Sequence, residues 1–243
     1  MRLTDGDPNR VLRGSIAFTH DVGYALALPA ATTDAPTPVL VVLHGFSEDG
    51  ERMLARFSHL TASGLAVLAP DAPYPVEVRA QKPGESARIG HAWYQFTGDQ
   101  PAFVASCRTA SDHVSRVLDD AAARHGLDAS RVVLLGYSQG GYLAGLWALT
   151  EPRRFAGLVA VSCRIKTEVL TPDALRAASG LRVLAIHGKS DSQVRLEPQQ
   201  AAIDVLRGHG FDARLHVYEG GHGLRREVAA YVQEFAVDVL ALP

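Results

Sequence analysis

Val132-Val133-Leu134-Leu135-Gly136-Tyr137-Ser138-Gln139-Gly140-Gly141 is an apolar run that stops at a glycine, turns through a serine and passes into the helix-forming stretch Gly140 to Thr150. Gly136 to Gly140 is a G-x-S-x-G pentapeptide. Alone it is a weak signal, and a serine in a glycine-rich turn is its bland reading. Its setting between strand and helix strengthens it, because the motif places a strained, exposed serine hydroxyl where a sheet strand ends. Glycines at 136 and 140 avoid Cβ collisions there, and Gly141 and Ala144 let the next helix lie close to the sheet.

Similar apolar runs recur on either side: 39–43, 65–69, 158–161, 183–186 and 215–218. Several are apolar on both faces, as expected of parallel strands covered by helices on each side. Helix candidates alternate with them around 50–62, 101–125, 139–150, 173–178, 197–208 and 224–240. That alternation predicts an α/β fold with a mostly parallel central sheet. Ser15 to Leu28, broken at Asp21-Val22-Gly23, reads as an antiparallel hairpin in front of the parallel part. Ala31 to Pro38 reads as a surface loop. Pro70 to Gln100, with Pro73, Pro75, Pro83 and Gly84, reads as a long irregular segment, and loops of that length are commonly functional. Residues 1–243 read as one domain.

Composition narrows the function classes. Lys plus Arg number 24 against 26 Asp plus Glu, which leaves no general field for nucleic acid. No apolar stretch reaches the roughly 18 residues of a membrane-spanning helix. Met1 to Pro8 has no signal-peptide core, and two cysteines, Cys107 and Cys163, make no disulfide framework. The expectation is a cytoplasmic protein with free thiols. Neither H-E-x-x-H nor C-x-x-C occurs, nor a phosphate-binding glycine loop, so no metal or cofactor is expected. Cys163 lies at a strand end without an elbow and reads as a small residue near a pocket. The oligomeric state stays open, a homodimer included.

A serine hydroxyl needs a base within hydrogen-bond reach to act as a nucleophile. His222, in Glu219-Gly220-Gly221-His222-Gly223 after the last strand, is the best placed of ten histidines. His216 lies within that strand and His209 ends a helix. The acid belongs between Ser138 and His222 in chain order. Asp191, in the loop after 183–186, fits. Asp173, behind Pro172, reads as a helix cap, and Asp204 and Asp212 lie in helix and strand-entry positions. A developing oxyanion also needs donors, for which the backbone N–H groups of Phe46 and Gln139 are the candidates. His44 reads as an organiser of its loop, with a catalytic histidine as the alternative.

Taken together, these segments resemble the phospholipase/carboxylesterase family of α/β-hydrolases, which includes the acyl-protein thioesterases. Leu43-His44-Gly45-Phe46-Ser47-Glu48-Asp49-Gly50 is similar to its L-H-G-x-x-x-x-G loop. Ala69-Pro70-Asp71-Ala72-Pro73 is similar to its P-x-A-P segment, and Trp93-Tyr94 to its W-F or W-Y pair. Gly136 to Gly141 matches G-[FY]-S-Q-G-G throughout, His187-Gly188 with Asp191 resembles H-G-x-x-D, and Gly221-His222 resembles the family's G-H ending. The resemblance implies an α/β-hydrolase fold and a serine carboxylesterase acting on short- to medium-chain acyl esters, with thioesters or lysophospholipids as further candidates. The alternative is a catalytically idle scaffold serving as a binding module. Two segments depart from the pattern. Val194 is followed by Arg195 where the family continues toward Val-Pro, and Ser162-Cys163-Arg164-Ile165-Lys166 replaces the usual small or aromatic loop of the acyl pocket. Trp93, Tyr94, Ile165 and Val194 are the candidate substrate contacts, with Phe46 a further pocket wall. Trp93 and Tyr94 read equally well as core. A pocket walled this way predicts an acyl optimum near butyryl or hexanoyl.

Overall fold

A computed structural model describes residues 14–242 except 17–18, 31–34, 81 and 83. Among the described residues seven strands form one sheet in the order β1-β3-β2-β6-β7-β8-β9. They are β1 (Tyr24–Ala27), β2 (Thr37–Leu43), β3 (Ala66–Pro70), β6 (Leu127–Tyr137), β7 (Gly157–Val161), β8 (Arg182–Gly188) and β9 (Ala213–Tyr218). β1 runs antiparallel to β3, and the other pairings described in this sheet are parallel.

The apolar runs form central strands because both of their faces are buried. Along β2 the side chains alternate between two cores, as the two-residue period of a strand requires. Val39, Val41 and Leu43 point to one core, Leu40 and Val42 to the other. The first core is closed by α2 (Gln100–His125), α3 (Gln139–Thr150), α4 (Pro172–Ala178) and α5 (Leu196–Gly208), through residues such as Phe103, Leu143, Leu175 and Ile203. The second is closed by α1 (Gly50–Phe57) and α6 (Val228–Leu240), through Met53, Phe57, Val232 and Phe235.

The sequence places most helix starts to within a residue or two. Asp49 and Asp99 cap α1 and α2 by accepting the N–H groups of Arg52 and Ala102 at 2.8 and 3.0 Å. At α4 the cap is Thr171, whose Oγ1 accepts from Ala174 N at 3.2 Å, and not Asp173. Asp173 lies one residue inside the helix start and pairs with Arg176.

Two expectations about loops are corrected. The N-terminal antiparallel strand is present, but β1 takes β3 as its partner, with Tyr24 opposite Pro70 and Ala27 opposite Val67. Residues 14–16 and 19–23 form no strand, while residues 17–18 of the expected first arm lie outside the described residues, as do 31–34 of the expected surface loop and the N-terminal segment 1–13. The 70–100 segment is not irregular throughout. It contains a separate antiparallel ribbon of β4 (Tyr74–Val78) and β5 (Arg88–Ala92). Prolines hid this ribbon from sequence reading. A two-stranded ribbon consists only of edges, where Pro75 costs no ladder bond that matters; Pro83 lies outside the described residues.

The ribbon has a defined place. Ser47 N donates to His91 O at 2.9 Å and His91 N to Glu48 O at 2.8 Å, which ties β5 to the loop after β2. A Cβ on Gly90 would lie 2.1 Å from Ser47 O, so the approach requires glycine.

Candidate active site

Ser138 joins β6 to α3 with φ 50° and ψ −117°, a positive φ that is strained for any residue with a Cβ. The surroundings impose it. Ser138 N donates to Val161 O on β7 at 2.9 Å, and Ser138 O accepts from Gly141 N and Tyr142 N in the first turn of α3. A Cβ on Gly140 would meet Leu43 O and His44 O at 2.6 Å, so the helix can start this close to β2 only with glycine there.

Three loops at the carboxyl edge of the sheet bring the expected residues together. His222 Nε2 lies 2.9 Å from Ser138 Oγ, and His222 Nδ1 lies 2.8 Å from Asp191 Oδ2. An ionised carboxylate can only accept, so Nδ1 carries the proton and Nε2 is the acceptor facing the serine hydroxyl. Asp191 is held in turn: its Oδ1 accepts from Gln193 N and Val194 N, both at 2.9 Å, and its side chain is fully buried. His187, buried beside it, donates from Nε2 to Val194 O at 2.8 Å and closes the same loop.

The His222 turn is pinned from several sides. Tyr137 OH donates to His222 O at 3.0 Å, and Tyr218 OH shares its proton between Gly221 O and Gly223 O at 3.2 and 3.1 Å. Ser190 N and Oγ both donate to Gly220 O. Burial pushes the Tyr137 phenol up to about 12, so this donor keeps its proton throughout the neutral range.

The loop after β2 supplies a second set of backbone donors. Gly45 N donates to Glu48 Oε2 at 3.1 Å and Ser47 N is taken by His91 O. Among the described residues the Phe46 N–H between them has no acceptor. Gln139 N stands in the first turn of α3, where helical N–H groups lack intrahelical partners. The Gln139 side chain is engaged elsewhere: Oε1 accepts from Trp93 N and Nε2 donates to Tyr94 O, both at 2.9 Å. Burial tends to raise the Glu48 carboxyl, but the Arg56 guanidinium and the Gly45 N–H outweigh it and hold the group below its ordinary value.

His44 is fully buried. Its Nε2 accepts from Ala72 N at 3.1 Å, so Nδ1 carries the proton and donates to Gly45 O at 2.7 Å. Burial lowers its basicity and keeps it neutral. Both nitrogens are spent on backbone, which gives it the loop-organising role.

A cavity of about 570 Å³ opens beside this edge, walled by Tyr94, Phe96, Phe103, Tyr142, Val194 and Lys166 among others. Tyr94 and Val194 line it. Trp93 and Ile165 do not: both are wholly buried, and Trp93 Nε1 donates to His44 O at 2.8 Å as part of the core under the loop. Ile165 packs toward Gly145 of α3 and its N–H goes to Gln199 Oε1. Phe46 turns outward, 56% exposed, and is not part of the cavity wall. Cys163 is buried with its thiol pushed upward by burial, which keeps it protonated. Sequence reading missed Phe96, Phe103, Tyr142 and the positive side chains around them, and also Tyr137 and Arg56 behind the loops. The match to G-[FY]-S-Q-G-G was the available signal for Tyr137 and for the Gln139 side chain.

Comparison with known proteins assigns the chain to a family. The phospholipase/carboxylesterase family model covers residues 29–239. Acyl-protein thioesterase 1 of Gibberella zeae is 24% identical over 226 residues, spanning 86% of this chain and 93% of its own. Carboxylesterase SOBER1 of Arabidopsis thaliana is 25% identical over 204 residues, spanning 79% and 86%. Among solved structures, esterase PE8 superposes with a TM-score of 0.70 at 27% identity, covering 90% of this chain and 100% of that one. The Bacillus cereus carboxylesterase reaches 0.69 at 16% identity over 90% and 94%, a likeness of fold alone. With the family match running from just after β1 to within a residue of the end of α6, the chain belongs to the phospholipase/carboxylesterase family of α/β-hydrolases.

Proposed function

We propose that the protein is a serine carboxylesterase that hydrolyses short- to medium-chain acyl esters through an acyl-enzyme on Ser138. The observation that carries this reading is the unbroken relay from Ser138 Oγ to His222 to Asp191, at 2.9 and 2.8 Å. His222 Nε2 takes the hydroxyl proton as Oγ attacks the ester carbonyl, and Asp191 steadies the imidazolium that forms. The N–H groups of Phe46 and Gln139 receive the oxyanion. His222 then returns its proton to the departing alkoxide, and a water activated by the same nitrogen releases the acid. Every proton in this sequence moves through a side chain already in hydrogen-bond contact. The names of the relatives, an acyl-protein thioesterase and carboxylesterases, point to the same chemistry.

Turnover of chromogenic acyl esters and of peptide amides by the wild type and by Ser138→Ala tests the reading. Esters should be cleaved and amides left intact, and the variant should lose about 10⁴–10⁶-fold of its activity while keeping its circular dichroism spectrum. An Ala variant that retains activity, or a wild type inert toward every ester, contradicts it.

A further inference from the structure

The cavity wall carries an uneven charge. Arg164, Lys166 and Arg195 all line it, and among the described residues no acidic side chain does. Lys166 is the unusual member. Its side chain is 7% exposed, and its Nζ sits 4.9 Å from the Phe103 ring centre and 5.3 Å from that of Phe96. It donates to Gln100 Oε1, itself a wall residue. Glu168, outside the wall, pairs with Arg164 and stands 3.8 Å from Lys166 Nζ. Arg195 has no ion-pair partner among the described residues and follows Val194, whose N–H binds Asp191.

Burying an ammonium is costly unless it is paired. The two aromatic faces, the glutamine amide and a Glu168 carboxylate that Lys166 shares with Arg164 stabilise it in part, and a lysine has three donors to satisfy. A pocket meant for a plain alkyl chain gains nothing from this arrangement, since a methionine of similar length would fill the same space without the desolvation cost. The cavity adjoins the reacting serine: Tyr94 O is held by Gln139, Tyr142 lies in the first turn after Ser138, and Gln193 and Val194 hold Asp191.

We propose that this cavity selects esters bearing a carboxylate at the end remote from the scissile bond, with Lys166 as its principal anchor and Arg164 and Arg195 completing the positive wall. The proposal rests on the serine-esterase reading above. The carboxylate enters as a direct partner on the cavity side for an ammonium whose neighbouring Glu168 carboxylate stands 3.8 Å away and is shared with Arg164, and the aromatic walls cover the methylenes between it and the ester. The carboxylate can belong to either half of the ester, and the experiment separates the two.

Three esters suffice: nitrophenyl pentanoate, which is neutral; nitrophenyl hemiglutarate, with the carboxylate on the acyl side; and the butyryl ester of hydroxybenzoic acid, with it on the alcohol side. Each rate is corrected for alkaline hydrolysis of the same ester. One of the two anionic esters should exceed the neutral one in kcat/KM by roughly tenfold or more, mainly through a lower KM, and the margin should shrink with added salt. Lys166→Met should reduce the ratio of anionic to neutral kcat/KM by roughly ten- to a hundredfold. Arg195→Gln, at an exposed position that does not threaten the fold, should reduce it by a smaller factor, and that serves if the Lys166 variant fails to fold. Preference for the neutral ester over both anionic ones, or a ratio unmoved in both variants, overturns the proposal alone. Turnover of none of the three overturns the esterase reading and this proposal with it.

Discussion

The two walls of the site are built by different means. On one side Ser138, His222, Asp191 and the loop after β2 are positioned by backbone: strand ends, a strained turn, a helix start and loops whose carbonyls and N–H groups are pinned by Tyr137, Tyr218, Ser190 and His91. On the other side the cavity is walled by side chains converging from α2, α3 and the loops after β5, β7 and β8, with Lys166 between two rings. Backbone fixes where chemistry happens and leaves little freedom in residue type. Side chains from distant segments decide what enters, and they can change without disturbing the fold. That is why the departures from the family pattern, at 162–166 and at Arg195, fall on the second wall and leave the first intact.

If the first wall works as a relay, its most sensitive interior point is the Asp191 carboxylate. Asp191→Asn should lower kcat by about 10³–10⁴ with KM little changed, because an amide there favours the wrong imidazole tautomer. Steady-state kinetics on a neutral ester measures this. A variant within tenfold of wild type would show that Asp191 does not orient His222.

Gln139 joins the two walls, since its side chain grips residues 93 and 94 while its N–H is the proposed oxyanion donor. Gln139→Ala keeps the N–H and removes the grip. The resulting misplacement should cost roughly ten- to a hundredfold in kcat/KM, and a flattened acyl-chain profile should accompany it as Tyr94 loosens. An unchanged profile with unchanged rate would mean that the walls are independent.

The smallest effect concerns the support beneath the first wall. His44 is held neutral by burial, so its folded-state pKa lies below the 6.5 of the unfolded chain. His113, whose Nε2 donates to Asp71 O at 3.0 Å, is lowered in the same direction by burial. A depressed pKa means that the unfolded state binds protons first. Stability from these groups is therefore complete above about pH 6.5 and is lost as the pH falls below it toward the folded-state value. The urea midpoint should decline between pH 7 and 5, while the His44 ring stays neutral by NMR over the upper part of that window. Protonation of His44 near pH 6.5 in the folded protein would contradict its place in the core.

How much of this is legible in the sequence follows the same division. The strands at 39–43, 132–135, 158–161 and 183–186 stand out because both of their faces are buried, leaving uninterrupted apolar runs. Ser138, Asp191 and His222 can be named from chain order and strand-end position, because a parallel sheet delivers its loops to one edge. The β4–β5 ribbon is not legible: its alternating exposed residues and its prolines imitate a loop. Nor is the partner of β1, since antiparallel pairing to β3 spans more than forty residues and leaves no local mark. Trp93 shows the limit most plainly. An aromatic in a functional loop reads equally as wall or core, and only the indole bond to His44 O places it in the core. The positive wall is illegible for a related reason, since Arg164 and Arg195 are separated along the chain by α4, β8 and the turn that follows.

The central claim is that Ser138 is the nucleophile activated by His222. Mapping a fluorophosphonate adduct by mass spectrometry of the intact protein and its peptides tests it most directly, with His222→Ala as the comparison. The account predicts one adduct per chain, on Ser138 and on no other residue, formed at least about 10³-fold more slowly when His222 is removed. An adduct on another residue, or labelling of Ser138 at an undiminished rate in the His222 variant, would contradict it.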